Sequence, residues 1–127
     1  MRILNLLFVV VVNIPMSGQG IRPFLDAVIK MDNSQLEKYL ASDATITVEN
    51  QVATGEKNVV SKLSSFVTES GVKTLKIVHE GVAKGKDSIM GIGSLISDKG
   101  KFRVYLTFKN IDGLSIIQEI RIERDTF

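Results

Sequence analysis

Phe102-Arg103-Val104-Tyr105-Leu106-Thr107-Phe108-Lys109, then Asn110-Ile111-Asp112-Gly113, then Leu114 through Glu123, is the stretch on which the fold turns. Two alternating runs flank a loop that ends in Asp-Gly, which predicts an antiparallel hairpin. Successive side chains of a strand point to opposite sides. Phe102, Val104, Leu106 and Phe108 therefore share one face of the first strand, and Leu114, Ile116, Ile120 and Ile122 one face of the second. That face requires an apolar cover, and the segments upstream have the pattern to supply it.

Ile21, Phe24, Leu25, Val28 and Met31 recur at helical spacing, with Pro23 suited to a first turn. Asp32-Asn33 interrupts, and Ser34-Gln35-Leu36-Glu37 reads as a capping box opening a short second helix that buries Leu36, Tyr39 and Leu40. Asp43 to Glu49 alternates as a half-buried strand, and Asn50 to Gly55 reads as a polar loop. Val59, Val60, Leu63, Phe66 and Val67 mark a third helix, with Gly71 placed for a left-handed cap. Lys73–Ala83, Ser88–Ser97, Phe102–Asn110 and Leu114–Glu123 follow as four strands joined by short Gly-containing turns. The order α-α-β-α-β-β-β-β is an α+β fold, with N-terminal helices packed on one face of a curved, mainly antiparallel sheet.

At 127 residues with 24% charged residues, the chain has the size and composition of one globular domain. Met1-Arg2, the mostly apolar run Ile3–Val12 and the small residues Ser17-Gly18 have the outline of a secretory leader. The expected boundaries are a signal peptide at 1–18, cleaved between Gly18 and Gln19, and one α+β domain at 19–127. The apolar run is about half of the ~20 residues a spanning helix needs, so no stable membrane insertion is expected after cleavage. Loss of Arg2 leaves fifteen basic and fourteen acidic residues, so the expected mature chain is near neutral, in the periplasm or secreted. The absence of cysteine excludes a lipoprotein anchor.

The order of elements resembles the nuclear transport factor 2-like superfamily, whose cystatin-like α+β cone wraps a curved sheet around a pocket beneath the helices. Closer still is the resemblance to a family of small exported bacterial proteins known as domain of unknown function 4783. Lys101-Phe102-Arg103-Val104-Tyr105, Ile117-Gln118-Glu119-Ile120-Arg121-Ile122-Glu123, Ile77-Val78-His79-Glu80-Gly81 and the helix start at Gly55 carry it. It covers nearly all of the chain after residue 18. The resemblance implies the cone fold and brings no activity, ligand or catalytic residue with it.

His79, the only histidine, shares a predicted strand face with Leu75, Ile77, Gly81 and Ala83. If that face lines the pocket, the imidazole is placed for acid–base work or hydrogen bonding. The plainer reading is a core or edge histidine bonded to a backbone carbonyl. Gln118 interrupts the apolar face of the last strand, where a buried amide must find partners in the protein, in water or in a ligand. His79, Gln118 and Tyr39 together form the candidate ligand-binding cluster. Arg103, Tyr105, Thr107, Glu119 and Arg121 fall on the opposite face, where Tyr105 and Ile117 supply an apolar centre. Arg103, Tyr105, Ile117 and Arg121 are thus the candidate interface residues, either of a homodimer or of a solvated face.

No catalytic motif stands out. One histidine and no cysteine exclude the common zinc sites, and Gly-x-Ser-x-Gly is absent. Gly91 and Gly93 lack the third glycine of a dinucleotide fingerprint and read as a bend or close backbone approach. Glu80, Glu119 and Glu123 fall with the polar side. Lys84 and Lys86 lie at one hairpin tip and Lys99 and Lys101 at the next, so they form no single basic patch, and no nucleic-acid partner is expected. No metal and no cofactor are called for. The leading expectation is an exported binding or interaction module with a pocket for a small apolar or amphipathic ligand. Its alternatives are an isomerase- or dehydratase-like enzyme using His79, and a homodimeric interaction protein working through the outer sheet face.

Overall fold

The structure, a computed structural model, describes residues 17–82 and 88–125. The expected leader at 1–18 falls almost wholly outside them, as does the turn Lys84-Gly85-Lys86-Asp87. Helices α1 (Ser17–Lys30) and α2 (Asn33–Lys38) lead into strands β1 (Leu40–Val48) and β2 (Gln51–Thr54). Helix α3 (Glu56–Ser70) and strands β3 (Val72–Val82), β4 (Ser88–Ser97), β5 (Gly100–Ile111) and β6 (Leu114–Arg124) complete the order.

The strands form one six-stranded sheet in the order β2-β1-β6-β5-β4-β3. Neighbours are antiparallel except β1 and β6, which run parallel. The parallel pair follows from connectivity. The chain leaves β2 through α3 and starts β3 at the far edge, so the meander ends beside β1. The hairpin named from sequence is present, with Asp112 and Gly113 both at positive φ (52° and 82°). Two consecutive left-handed residues twist a two-residue turn to match its strands.

Val59, Val60, Leu63, Phe66, Val67 and Ser70 bury one side of α3 against the sheet, a three- and four-residue spacing that makes one helical face. Phe66 meets Phe102 edge to face, with centroids 5.1 Å apart. Each apolar side chain so buried contributes about 1.5–3 kcal/mol. The helix stops where Gly71 takes φ 68°, its N–H donating to the Val67 carbonyl, as its sequence position foretells.

Four local expectations are corrected. Asp32, not Ser34, caps α2: its side chain accepts from the Gln35 N–H at 3.3 Å, and the Ser34 hydroxyl donates to it at 2.9 Å. A carboxylate also answers the partial positive charge of the helix start. Pro23 lies inside α1 and not in its first turn. The polar stretch after Asn50 holds β2, an edge strand with only Ala53 half-buried, so its composition shows no strand pattern. Finally, the alternation within β3 and β6 breaks, with consequences for His79, Ile117 and Gln118.

Candidate functional site

The inner face of the sheet is filled. The void between α1, α3 and the sheet, bounded by Phe24, Val28, Leu63, Leu75 and Val104, has a volume of about 10 Å³. That is room for one water at most, and its walls are apolar. Side chains thus occupy the place where the resemblance implies a pocket.

Two β-bulges decide which residues face inward. In β3, Ile77 lies opposite Gly93 and His79 opposite Ile92, which leaves Val78 as an extra residue, 59% exposed. In β6, Phe108 lies opposite Ile117 and Thr107 opposite Glu119, leaving Gln118 extra. One inserted residue inverts the in–out parity of everything beyond it. His79 therefore moves to the outer face, and Glu80 turns inward with Leu75 and Ile77. Before the second bulge, Ser115 and Ile117 point inward. Beyond it, Ile120 and Ile122 do.

Ile117, expected at the centre of the outer face, is fully buried. Leu114, expected in the core, is 39% exposed. Glu80, expected with the polar side, is half-buried, and its Oε1 is covered without a hydrogen-bond partner among the described residues. The candidate ligand cluster is not assembled. His79 stands on edge strand β3 and Gln118 on β6, with β4 and β5 between them, so their backbones lie at least roughly 14 Å apart. Tyr39 is tied to the β6 bulge instead: its carbonyl accepts from the Ile117 N–H at 2.7 Å.

The outer face brings other residues together. Strand pairing places His79, Ile92, Tyr105, Arg121, Thr47 and Val52 side by side in one row across all six strands. The Arg121 guanidinium lies over the Tyr105 ring, 4.7 Å from its centroid, and its Nε pairs with Glu123 at 3.0 Å. The Arg103 pKa is raised, chiefly because its guanidinium donates toward Tyr105, with Asp125 adding to it at 3.8 Å. The cation–π contact of Arg121 with Tyr105, at an exposed site, is worth about 0.5–1 kcal/mol. Around this row the face keeps apolar surface in solvent, with Met90 41% and Ile96 43% exposed. Of the four candidate interface residues, Arg103, Tyr105 and Arg121 meet here, joined by His79, whose place only the bulge explains.

An open groove of about 520 Å³ lies at the end of the sheet between α3, the β1–β2 turn and the start of β5. Its charges are mixed, and Arg124 ties several of its walls together. Arg124 stacks on Phe102 at 4.7 Å, donates to the Lys99 carbonyl at 2.9 Å and lies 3.9 Å from Glu49, while Lys62 bonds Gln51. Among the described residues no group of three potential metal ligands occurs, and no helix is long and apolar enough to cross a membrane.

A family model described as Domain of unknown function (DUF4783) matches residues 24–123. A DUF4783 protein from Bacteroides fragilis YCH46 is 24% identical with a TM-score of 0.69, covering 89% of this chain and 100% of its own. A designed chain of the nuclear transport factor 2 type with a long sheet is 15% identical with a TM-score of 0.70, covering 84% of this chain and 99% of its own. A Nostoc punctiforme protein of unknown function with a cystatin-like fold is 14% identical with a TM-score of 0.66, covering 85% and 87%. These likenesses establish the nuclear transport factor 2-like, cystatin-like architecture. No curated protein matches the chain.

Proposed function

The chain belongs to the domain of unknown function 4783 family, and on that premise we propose that it is a non-catalytic interaction protein that pairs with a second copy of itself through the outer sheet face. The supporting observation is the row His79–Ile92–Tyr105–Arg121, flanked by exposed Met90 and Ile96. Strands β3 to β6, about 4.8 Å apart, present roughly 600 Å² of surface, near the ~800 Å² per partner of a standard interface.

Charge complementarity favours a second copy. A twofold axis along the strands, between β4 and β5, lays β3 on the partner's β6 and β4 on the partner's β5. Lys76, Ser94, Arg103 and Glu123 form the next row, so Lys76 then faces the partner's Glu123. The isologous arrangement repeats that ion pair on the other side of the axis. Export belongs to the same reading, supported by the basic start and apolar run at residues 2–12. The reading as a His79-dependent enzyme has no comparable support, because the imidazole is exposed on the outer sheet face with no side-chain partner among the described residues.

Light scattering across a concentration series tests this. A dimer is expected, Tyr105→Glu should convert it to a monomer, and Lys76→Glu and Glu123→Lys should each weaken it. The double charge reversal should restore association. A wild-type chain that stays monomeric at high concentration defeats the proposal.

A further inference from the structure

We infer that the open groove at the end of the sheet is a binding site for a small organic carboxylate with a flat apolar body, anchored by Arg124. Three observations carry this, and none depends on the outer face. The groove measures about 520 Å³, within the ~300–1,000 Å³ of small-molecule sites. Arg124 is fixed in its wall. Ile120 and Ile122 set the inward parity of β6, and Arg124, opposite Phe102, takes the next inward place. Its guanidinium is held by the Phe102 ring at 4.7 Å, the Lys99 carbonyl at 2.9 Å and Glu49 at 3.9 Å. A guanidinium carries five donors in one plane, so these contacts fix the group and still leave N–H bonds for a ligand. Ser70 also lines the groove, is only 7% exposed, and its hydroxyl has no hydrogen-bond partner among the described residues. A hydroxyl so buried is costly to leave unpaired, and a carboxylate oxygen would accept from it.

Charge selects the head group. Arg124, Lys62 and Lys99 line the groove against two carboxylates, Glu49 and Glu69. The positive side is the less answered. Lys62 bonds the neutral amide of Gln51, and the exposed Lys99 ammonium has no partner among the described residues. Glu49 stands at the outer limit of ion pairing with Arg124. Glu69 has no partner either, so an ammonium of similar shape is the fair rival in any test. Two parallel N–H···O bonds to a carboxylate are the strongest pairing open to the Arg124 fork. The apolar walls select the body. Phe66 and Phe102 meet edge to face beside Val48, all three largely buried, and so form a floor on which a flat ring can lie.

The test is an amide-resolved NMR titration of the purified chain with sodium phenylacetate at constant ionic strength, beside phenylacetamide and benzylammonium chloride. Saturable shifts of the Asn50, Ser70 and Lys99 amides in the millimolar range are expected with phenylacetate alone. Arg124→Gln should weaken binding at least about tenfold, the loss of a charge-assisted fork. Lys99→Gln, at an exposed side chain that holds no partner in place, should weaken it about threefold. Lys109→Gln makes the same charge change at the far end of β5 and should leave binding intact. Equal binding of phenylacetamide or benzylammonium, undiminished binding in both Arg124→Gln and Lys99→Gln, an equal loss in Lys109→Gln, or no saturable shift in the wild type would each overturn the inference. Tyr105→Glu should leave this titration unchanged, so failure of this site and failure of the proposed dimer are separable.

Discussion

The carbonyl oxygen of Lys76 stands 2.7 Å from the point that a Cβ on Gly93 would occupy, with Ile77 Cδ1 at 3.3 Å. Glycine is what allows β3 to press onto β4 immediately before its bulge. Gly93→Ala should therefore push the strands apart and cost about 1–3 kcal/mol, read as a lowered midpoint in urea unfolding. Gly91→Ala is the control, because its added carbon meets only side chains at 3.5 Å or beyond. Equal losses at both positions would contradict this account of the bulge.

The bulge in β6 exchanges the roles that simple alternation assigns to two residues. Ile117→Ala should cost about 2–5 kcal/mol, as for a filled core position. Leu114→Ala, at an exposed site, should stay within about 0.5 kcal/mol. Thermal or denaturant unfolding of the two variants decides it, and a reversed ranking would restore the unbulged register.

Glu80 makes a prediction about stability. One oxygen of its carboxylate, Oε1, is covered without a partner, and replacing the group by an apolar side chain of similar length removes that oxygen's desolvation penalty. Glu80→Met should raise unfolding stability by about 1–2 kcal/mol. A destabilised variant would mean that the carboxylate is already satisfied in the folded chain.

Asp32 and Ser34 compete for the role of helix cap, and the geometry favours Asp32. Asp32→Ala should cost about 1 kcal/mol, and Ser34→Ala less, since the hydroxyl bonds only to the aspartate. Circular dichroism during urea unfolding of both variants checks the order of the two losses.

Much of the architecture was legible in local chemistry. The Asp112-Gly113 turn, the helical spacing from Val59 to Val67 and the Gly71 stop each follow from constraints a few residues long. Arg103, Tyr105 and Arg121 lie on the outer face that alternation assigns them, because β5 alternates without interruption and Arg121 lies beyond the β6 bulge. The ligand cluster was not legible. Its members were grouped by parity along separate strands, and parity carries no information on which strands become neighbours.

What the sequence determined by itself is therefore the set of elements apart from the edge strand Gln51–Thr54: which other segments are helix or strand, where most of them end, and that one sheet face must be covered. The tertiary structure decided which way His79, Glu80, Ile117 and Gln118 point. An extra residue in a strand leaves the hydrophobic alternation on either side intact, and only the register against the neighbouring strand shows where the phase has slipped. The slip in β3 moved the only histidine out to the sheet's outer face and turned one glutamate toward the interior, and the slip in β6 buried Ile117.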